Sequence, residues 1–469
     1  MASTFFGLNV ALSGVLTQQR ALNTVSHNLT NATTPGYTRQ RVEMSAATPH
    51  PYPAINMPVG PGQLGTGVVA TQYARLRDQF VDLNYRATSA DVGNHGAKAD
   101  ALSTIDTIID EPGQTGLTHL LSQYWGSWQA LSLQPDSAAA RETVRHAGDA
   151  LAKGFNDLGA QLTASQNEAN TRIGLGVGRV NEMAGQVNEL NKQIAMVVAV
   201  GQEPNDLRDQ RDMLIDEIAT FSNVTVTEPG ANGKVSIAIG SQMLVDGTTD
   251  AVGALAIDGA GAATINGAAT TVTSGGLRGL VDIRDTIIGG PAGYISQLDT
   301  LAAALATSVN TRHQAGFGLD GTTGNAFFAG NTAATLSLSA AVAGSVDAIA
   351  ASDTAGNVPA GADNAIGLAQ LQFVVQAVGA STTTLDGFYA QMVAKVGVDT
   401  DQATRMAQVQ NGVLEAAQAR RDGTSGVNLD EEMSDMVRFQ KSYNAAARMV
   451  TTLDEMLDTI ISRMGVVGR

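Results

Sequence analysis

The two ends of this chain carry matching patterns. Residues Ser3 to Leu29 read as an amphipathic helix. Phe5, Leu8, Leu12, Val15, Leu22 and Leu29 follow the alternating three-and-four spacing of a coiled-coil seam, with Gln19 and Ser26 as polar steps. Residues Asn428 to Met464 repeat the plan. Met436, Tyr443, Val450, Leu457 and Met464 recur at every seventh position, flanked by Met433, Ala447, Leu453, Ile460 and Ile461. A stripe this narrow is too thin for a buried core helix and suits helices that pack on one another. Such helices at both ends, with everything else looped out between them, are the plan of a subunit that polymerises. Isolated helices with an open seam are marginal in water. Both ends are therefore expected to complete their folding only when neighbouring subunits bury the seams.

A chain of 469 residues is too long for one compact core, so several domains are expected. Aromatic residues make up only 4% and glycines number 51, which favours thin cores: slender helical bundles and small sandwiches. There is no cysteine, which excludes disulfides, thiolate metal sites and cysteine nucleophiles. The net charge of −16 comes without a basic patch, so neither nucleic acid nor an anionic membrane is expected as a partner. Met-Ala-Ser-Thr before Phe5 has no basic n-region and no apolar h-region, which predicts no cleaved signal peptide. The longest apolar run, Ile194 to Val200, is too short to span a bilayer.

Along the chain the order is nested. The first helix should end near Asn31, because Thr34-Pro35-Gly36-Tyr37 follows; proline excludes the helical region before it, and Gly36 can take a positive φ. A terminal coiled-coil domain is thus assigned to 1–45 plus 428–469, and an extended connector to 46–77. Val68 to Leu76 reads as a strand leading into helix from about Asp78 to Phe221, with a kink expected at Gly174, Gly176 and Gly178. From Ser222 the period changes to two, with Asn232-Gly233 as a turn signal, giving a small β-rich domain over 222–274. Helical spacing resumes over 275–427, with a second short β element suggested near 331–362. The last body helix is expected to close on Arg420-Arg421-Asp422-Gly423, and Asn428 with Glu431 forms a capping box for the terminal one. The expected class is mainly α with a β insertion: a coiled-coil inner domain, an elongated helical bundle, and a small β-rich outer domain inserted in it.

No catalytic case emerges. Gly60-Pro61-Gly62-Gln63-Leu64-Gly65 fits the dinucleotide pattern by letter, but it lacks the preceding strand, and Pro61 removes an amide donor. His27, His50, His95, His119, His146 and His313 are scattered without metal-ligand spacing. Asp110 and Glu111 precede Pro112-Gly113 and read as a solvated loop. Asn28, Asn31 and Asn223 begin chance glycosylation sequons, and Trp125 and Trp128 are expected between helices. No cofactor, metal, catalytic residue or small-molecule substrate is assigned.

Ser26 to Arg39, SHNLTNATTPGYTR, resembles the N-terminal signature of bacterial flagellar axial proteins. Asn428 to Met433, Phe439 to Tyr443 and Thr452 to Leu457 resemble the matching C-terminal signature. Pro204 to Asp212 (PNDLRDQRD), Gly276 to Asp285 (GLRGLVDIRD) and His313 to Phe317 followed by Leu319-Asp320-Gly321 resemble one member family, hook-associated protein 1 of the hook–filament junction. The resemblance implies a structural adaptor that self-associates helically between the hook protein and the second hook-associated junction protein. It would be exported to the extracellular flagellum with a dedicated chaperone. It also implies subunit contacts through Leu8, Leu12, Val15, Leu22, Leu29, Pro35, Gly36, Tyr37, Met436, Tyr443, Val450, Leu457 and Met464, with Met436, Tyr443, Val450 and Leu457 gripping the chaperone. The alternative within the superfamily is another axial subunit, a hook or distal rod protein.

Overall fold

The computed structural model describes residues 5–50, 62–109 and 116–463. The first helix, α1 (Phe6–Thr30), is followed by an antiparallel ribbon of β1 (Gln40–Ala46) and β2 (Val68–Arg75). The body then opens with α2 (Gln79–Ile109), α3 (Leu117–Leu133), α4 (Ala138–Ala199) and α5 (Asn205–Phe221). Two small antiparallel sheets come next. One holds β3 (Val224–Thr227), β4 (Ser236–Ile239), β5 (Gln242–Asp246) and β6 (Ala251–Val252); the other holds β7 (Leu255–Ile257), β8 (Ala263–Ile265) and β9 (Ala268–Thr270). The chain returns through α6 (Gly276–Asp282), a π-helical turn (Ile283–Ile288) and α7 (Tyr294–Ala315). Short pieces follow: β10 (Phe328–Ala329), β11 (Ser337–Leu338), α8 (Ala340–Gly344), α9 (Asp363–Gln370), β12 (Gln376–Val378) and β13 (Ser381–Thr383). Two long helices, α10 (Leu385–Ser425) and α11 (Leu429–Arg463), close it. The architecture is mainly α with a β insertion.

α4 organises the body. Its 62 residues extend about 93 Å at 1.5 Å per residue, and Ser137 caps its start by accepting the Ala140 N–H at 3.3 Å. Its first half buries Val144, Leu151, Phe155 and Leu162 in a core shared with α3, α7 and the start of α10. Tyr124, Trp125, Trp128, Phe327 and Phe328 cluster there, with neighbouring ring centroids 4.9–6.2 Å apart, so both tryptophans are spent in this core. The second half buries Ile173, Val180, Met183 and Val187 against α5 and the inner faces of the sheets, including Ile237, Ile239, Leu244 and Ile265.

Several expectations are corrected. α4 runs through Gly174, Gly176 and Gly178 without a break. A Cβ on Gly176 would lie 2.9 Å from Leu277 Cδ2, so that glycine admits α6 rather than weakening the helix. α10 continues past Gly423 to Ser425, because Arg421 turns sideways to Asp216 and the Tyr85 ring instead of capping the end. Asn428 does cap α11 by accepting the Asp430 and Glu431 amides at 3.0 and 3.4 Å, whereas the Glu431 carboxylate reaches Arg39. The β element near 331–362 is a single two-residue ladder between β10 and β11, followed by short helical turns. The segment read as a connector carries β2, and its partner β1 starts as early as Gln40. Gly60-Pro61 and the Asp110–Gly113 loop lie outside the described residues, as does Met464.

Candidate assembly interface

α1 and α11 pack antiparallel. A Cβ on Gly7 would lie 3.4 Å from the Leu453 methyls, one on Gly14 would lie 3.5 Å from Ala446 Cβ, and Asn28 is bonded to Glu432. Each step along α1 is thus matched by an equal step back along α11. The α1 residues that this pairing and the ribbon bury are small or polar: Ala11, Thr17, Ala21, Thr24, Val25 and Asn28. The seam of large residues read from the sequence lies one position further on, about 100° around the helix. Leu12 is exposed, as is Leu16, while Leu8, Val15, Leu22 and Leu29 are half-buried. The polar steps Gln19 and Ser26 are exposed as well. α1 is therefore two-faced: small residues allow close approach of α11, and the large ones line an open flank.

On α11 the expected seam is the one that meets α1. Met436, Tyr443, Val450 and Leu457 are half-buried in alternation with Phe439, Ala446 and Leu453. Elsewhere on α11, Leu429, Met433, Val437, Met449, Met456, Ile460 and Ile461 stand exposed; the sequence pattern had not picked out Val437, Met449 or Met456.

The turn after α1 is fixed by chemistry. Gly36 has φ +76°, and a Cβ there would lie 2.2 Å from Met213 Sδ on α5, so glycine is needed twice over. Pro35 is exposed. Tyr37 donates its hydroxyl to Asn28 Oδ1 at 2.7 Å and meets the His27 ring edge-on at 5.4 Å. Burial, with Asp206, Asp209 and Glu432 nearby, pushes the Tyr37 phenol far above its ordinary value, so it stays a donor. Asn28 also accepts the Gln40 N–H at 3.0 Å, and its amide donates to Gln40 O at 2.8 Å and Glu432 Oε2 at 3.0 Å. Arg39 Nε donates to Glu432 Oε1 at 2.6 Å. Asn28 thereby ties the turn, the ribbon and α11 together; the sequence marked it only as a sequon and as one letter of the Ser26–Arg39 signature.

α5 clasps this assembly to the body. Along one face of the Pro204–Asp212 motif and just beyond it, Asp206 accepts from Gln40 Nε2 at 2.9 Å, and Asp209 accepts the Thr38 N–H at 2.9 Å and Arg75 at 2.8 Å. Asp212 accepts Arg75 at 2.9 Å and Arg77 at 2.6 Å, and Asp216 pairs with Arg86 and Arg421, each at 2.7 Å. Burial alone would push the Asp212 carboxyl up. The guanidiniums of Arg77, Arg75, Arg211 and Arg86 outweigh it and hold the group down at about 2. Arg211 points the other way, donating to Gly233 O at 2.7 Å in the β insertion, and burial draws it down to about 10. Nothing in this arrangement sets up a nucleophile or a general base; it holds elements in place. Among the described residues no group of three or more His, Asp or Glu side chains could hold a metal ion, and no helix is long and apolar enough to cross a membrane.

Three family models match the chain: the flagellar hook-associated protein FlgK helical domain over residues 102–328, the flagellar basal body rod FlgEFG protein C-terminal over 422–463, and the flagella basal body rod protein over 8–38. Flagellar hook-associated protein 1 of Bacillus subtilis is 34% identical, with all of both chains covered. Its Escherichia coli counterpart is 26% identical over 97% of this chain and 99% of its own. The solved structure of the flagellar hook junction protein FlgK from Burkholderia pseudomallei has a similar fold, with a TM-score of 0.63 at 17% identity, covering 72% of this chain and 99% of that one.

Proposed function

Because the chain belongs to the flagellar hook-associated protein 1 family, we propose that it polymerises at the hook–filament junction as the adaptor between hook and filament. It is a structural subunit of the bacterial flagellum, and its work is mechanical rather than catalytic. The observation that carries the reading is the two-faced α1, whose Leu12 and Leu16 are exposed and whose Leu8, Val15, Leu22 and Leu29 are only half-buried along the flank beside α11. Exposed apolar rows on a paired helix mark an interaction surface. Leu8, Leu12, Val15, Leu22 and Leu29 take a neighbouring copy there, and the Pro35-Gly36-Tyr37 turn sets the angle at which each terminal pair leaves its body. The domains 1–45 plus 428–469 form the inner layer, the helices of 78–221 plus 275–427 the next, and 222–274 the exterior. The hook protein lies on one side and the second hook-associated junction protein on the other, outside the cell. An export chaperone that grips Met436, Tyr443, Val450 and Leu457 takes α11 away from α1, because those residues face α1 in the pair.

The test is electron microscopy of a deletion strain complemented with wild type or with Leu12→Asp plus Leu16→Asp. These two exposed positions leave the α1–α11 contact intact. A hook without a filament in the deletion strain, cured by wild type and not by the variant, supports the reading. A missing hook points to another axial subunit, and filaments on the variant sink the assignment of this flank. Limited proteolysis of the monomer tests the coupled folding: ends as resistant as the body refute it.

A further inference from the structure

Three Asn-Gly pairs occur in the chain, at Asn232, Asn266 and Asn411. In such a pair the main-chain nitrogen of glycine, unhindered by a Cβ, can attack the asparagine side-chain carbonyl and close a five-membered ring. The fold treats the three differently. Asn411 lies inside α10, where the next amide is held in the helical hydrogen-bond ladder. Asn266 fills the two-residue turn between β8 and β9, and Ala254 holds it twice. Its amide donates to Ala254 O at 3.1 Å, and its Oδ1 accepts the Ala254 N–H at 2.9 Å. Asn232 is exposed in the loop between β3 and β4. Neither its Nδ2 nor the Gly233 N–H has a hydrogen-bond partner among the described residues.

Asn232 is also primed. Its Oδ1 accepts the Lys234 N–H at 3.1 Å, which turns the side chain toward the Gly233 amide and polarises the carbonyl that the nitrogen must attack. Two cations stand beside that amide. Arg211 Nη1 donates to Gly233 O at 2.7 Å, and Arg208 Nη2 lies 3.3 Å from where a Gly233 Cβ would be. Nearby positive charge favours the deprotonated nitrogen, which is the attacking form. The glycine itself is fixed by the fold: its φ is +74°, and a Cβ there would lie 3.0 Å from Ile194 and 3.2 Å from Val198 on α4.

We propose that Asn232-Gly233 is a site of spontaneous covalent modification, one that alters the join between the β insertion and α5. The Gly233 nitrogen bonds to Asn232 Cγ and gives up its proton, and Nδ2 takes up a proton and leaves as ammonia. Water then opens the cyclic imide. Cleavage at Cγ leaves aspartate; cleavage at the main-chain carbonyl leaves an isoaspartyl link, with an extra carbon in the backbone. Either product adds a negative charge. The isoaspartyl link also displaces Gly233 O, the acceptor for the buried Arg211 side chain, and so loosens a tie between α5 and the insertion. Old chains therefore hold the insertion less firmly than new ones.

Full-length protein is aged at mildly alkaline pH, native and in urea, then digested, and the three Asn-Gly peptides are quantified by mass spectrometry, with enzymatic methylation of isoaspartate as a second readout. In urea the three pairs should convert at similar rates. In the native chain Asn232 should convert at least about tenfold faster than Asn266 and Asn411, and Arg208→Gln should slow it. Native conversion at Asn232 no faster than at the other two overturns the proposal, and an unchanged rate in Arg208→Gln overturns the part given to the cation. The isoaspartyl form, separated by charge, should lose hydrogen-exchange protection at Val235 to Ile239 and keep it at Thr38 to Val42. Equal protection in the two forms overturns the loosening of the insertion. Asn232→Gln, whose longer side chain closes its ring far more slowly, should come through the same incubation with its protection intact; loss there as well assigns the change to ageing elsewhere and sinks the site.

Discussion

Asp212→Asn removes the charge at the centre of the clasp while keeping the side chain's shape. Asp212 serves Arg75 and Arg77 directly, with Arg86 at 3.8 Å, and its side chain is only 10% exposed, so solvent screens these interactions little. Holding the carboxyl at about 2 rather than at the ordinary 3.8 is worth about 2.4 kcal/mol, at about 1.4 kcal/mol per pK unit. The folded value is depressed. The stabilisation is therefore fully present above pH 4 and is lost as pH falls through about 2. Asparagine also turns an N–H toward guanidinium donors, which takes the expected loss toward the roughly 3–5 kcal/mol of a broken buried pair. Asp209, Asp82 and Asp216 still serve Arg75, Arg77 and Arg86, which argues for the lower end, about 2–3 kcal/mol by that comparison. Hydrogen exchange at the amides of Thr38 to Val42 and Tyr73 to Leu76, with urea midpoints as a second measure, reads the loss at pH 7. The same exchange followed from pH 4 to pH 2 should weaken more in wild type than in the variant, so that the two converge. Parallel pH profiles, or a loss below about 0.5 kcal/mol at pH 7, would refute the argument that a net-favourable charge cluster anchors the terminal pair.

Three further outcomes are expected. Gly36→Ala should cost about 2–4 kcal/mol, from a left-handed backbone carrying a side chain and from the clash with Met213, and Met213→Ala should restore the second part only, as urea midpoints of the single and double variants will show. His313 is wholly buried, with Nδ1 on Asn325 O at 2.7 Å and Nε2 accepting the Ala350 N–H at 2.9 Å, and burial draws it down to about 4. The unfolded chain binds the proton first, so stability should fall by up to about 3 kcal/mol between pH 6.5 and 4, and His313→Gln should remove that slope in pH-dependent urea melts. Met433→Asp with Met449→Asp, both exposed on α11, should leave the melting of the monomer within about 0.5 kcal/mol and abolish incorporation at hook ends, scored by microscopy.

The helical ends, the β insertion and the turn at Pro35-Gly36 are legible in the sequence because each carries a local signal: a period, an alternation, a φ requirement. The one-residue offset of the α1 seam is not. Gly7, Ala11, Gly14 and Ala21 contribute almost nothing to a hydrophobic pattern, although their smallness is what brings α11 close. β1 is hidden for a related reason: its inward Gln40 is polar, and it is accommodated only by Asn28, Asn205 and Asp206 from elsewhere. The acids of α5 could be recognised as a family mark, but their partners lie 130 to 171 residues upstream or, for Arg421, 205 residues downstream, and spacing along one helix does not say what it faces. Trp125 and Trp128 were readable as interior residues, whereas the meeting of Tyr124, Trp128, His313 and Phe327 depends on three separate elements.

The bond between Asn28 and Glu432 joins residues 404 positions apart. A chain broken anywhere before Glu432 leaves Arg39 without its buried carboxylate and Asn28 without one acceptor, and it leaves the small-residue face of α1 with nothing to close it. The terminal pair therefore acts as a check on completeness. In the assembly proposed above, a fragment without α11 offers its neighbours no closed terminal pair, so fragments are expected to be excluded from it.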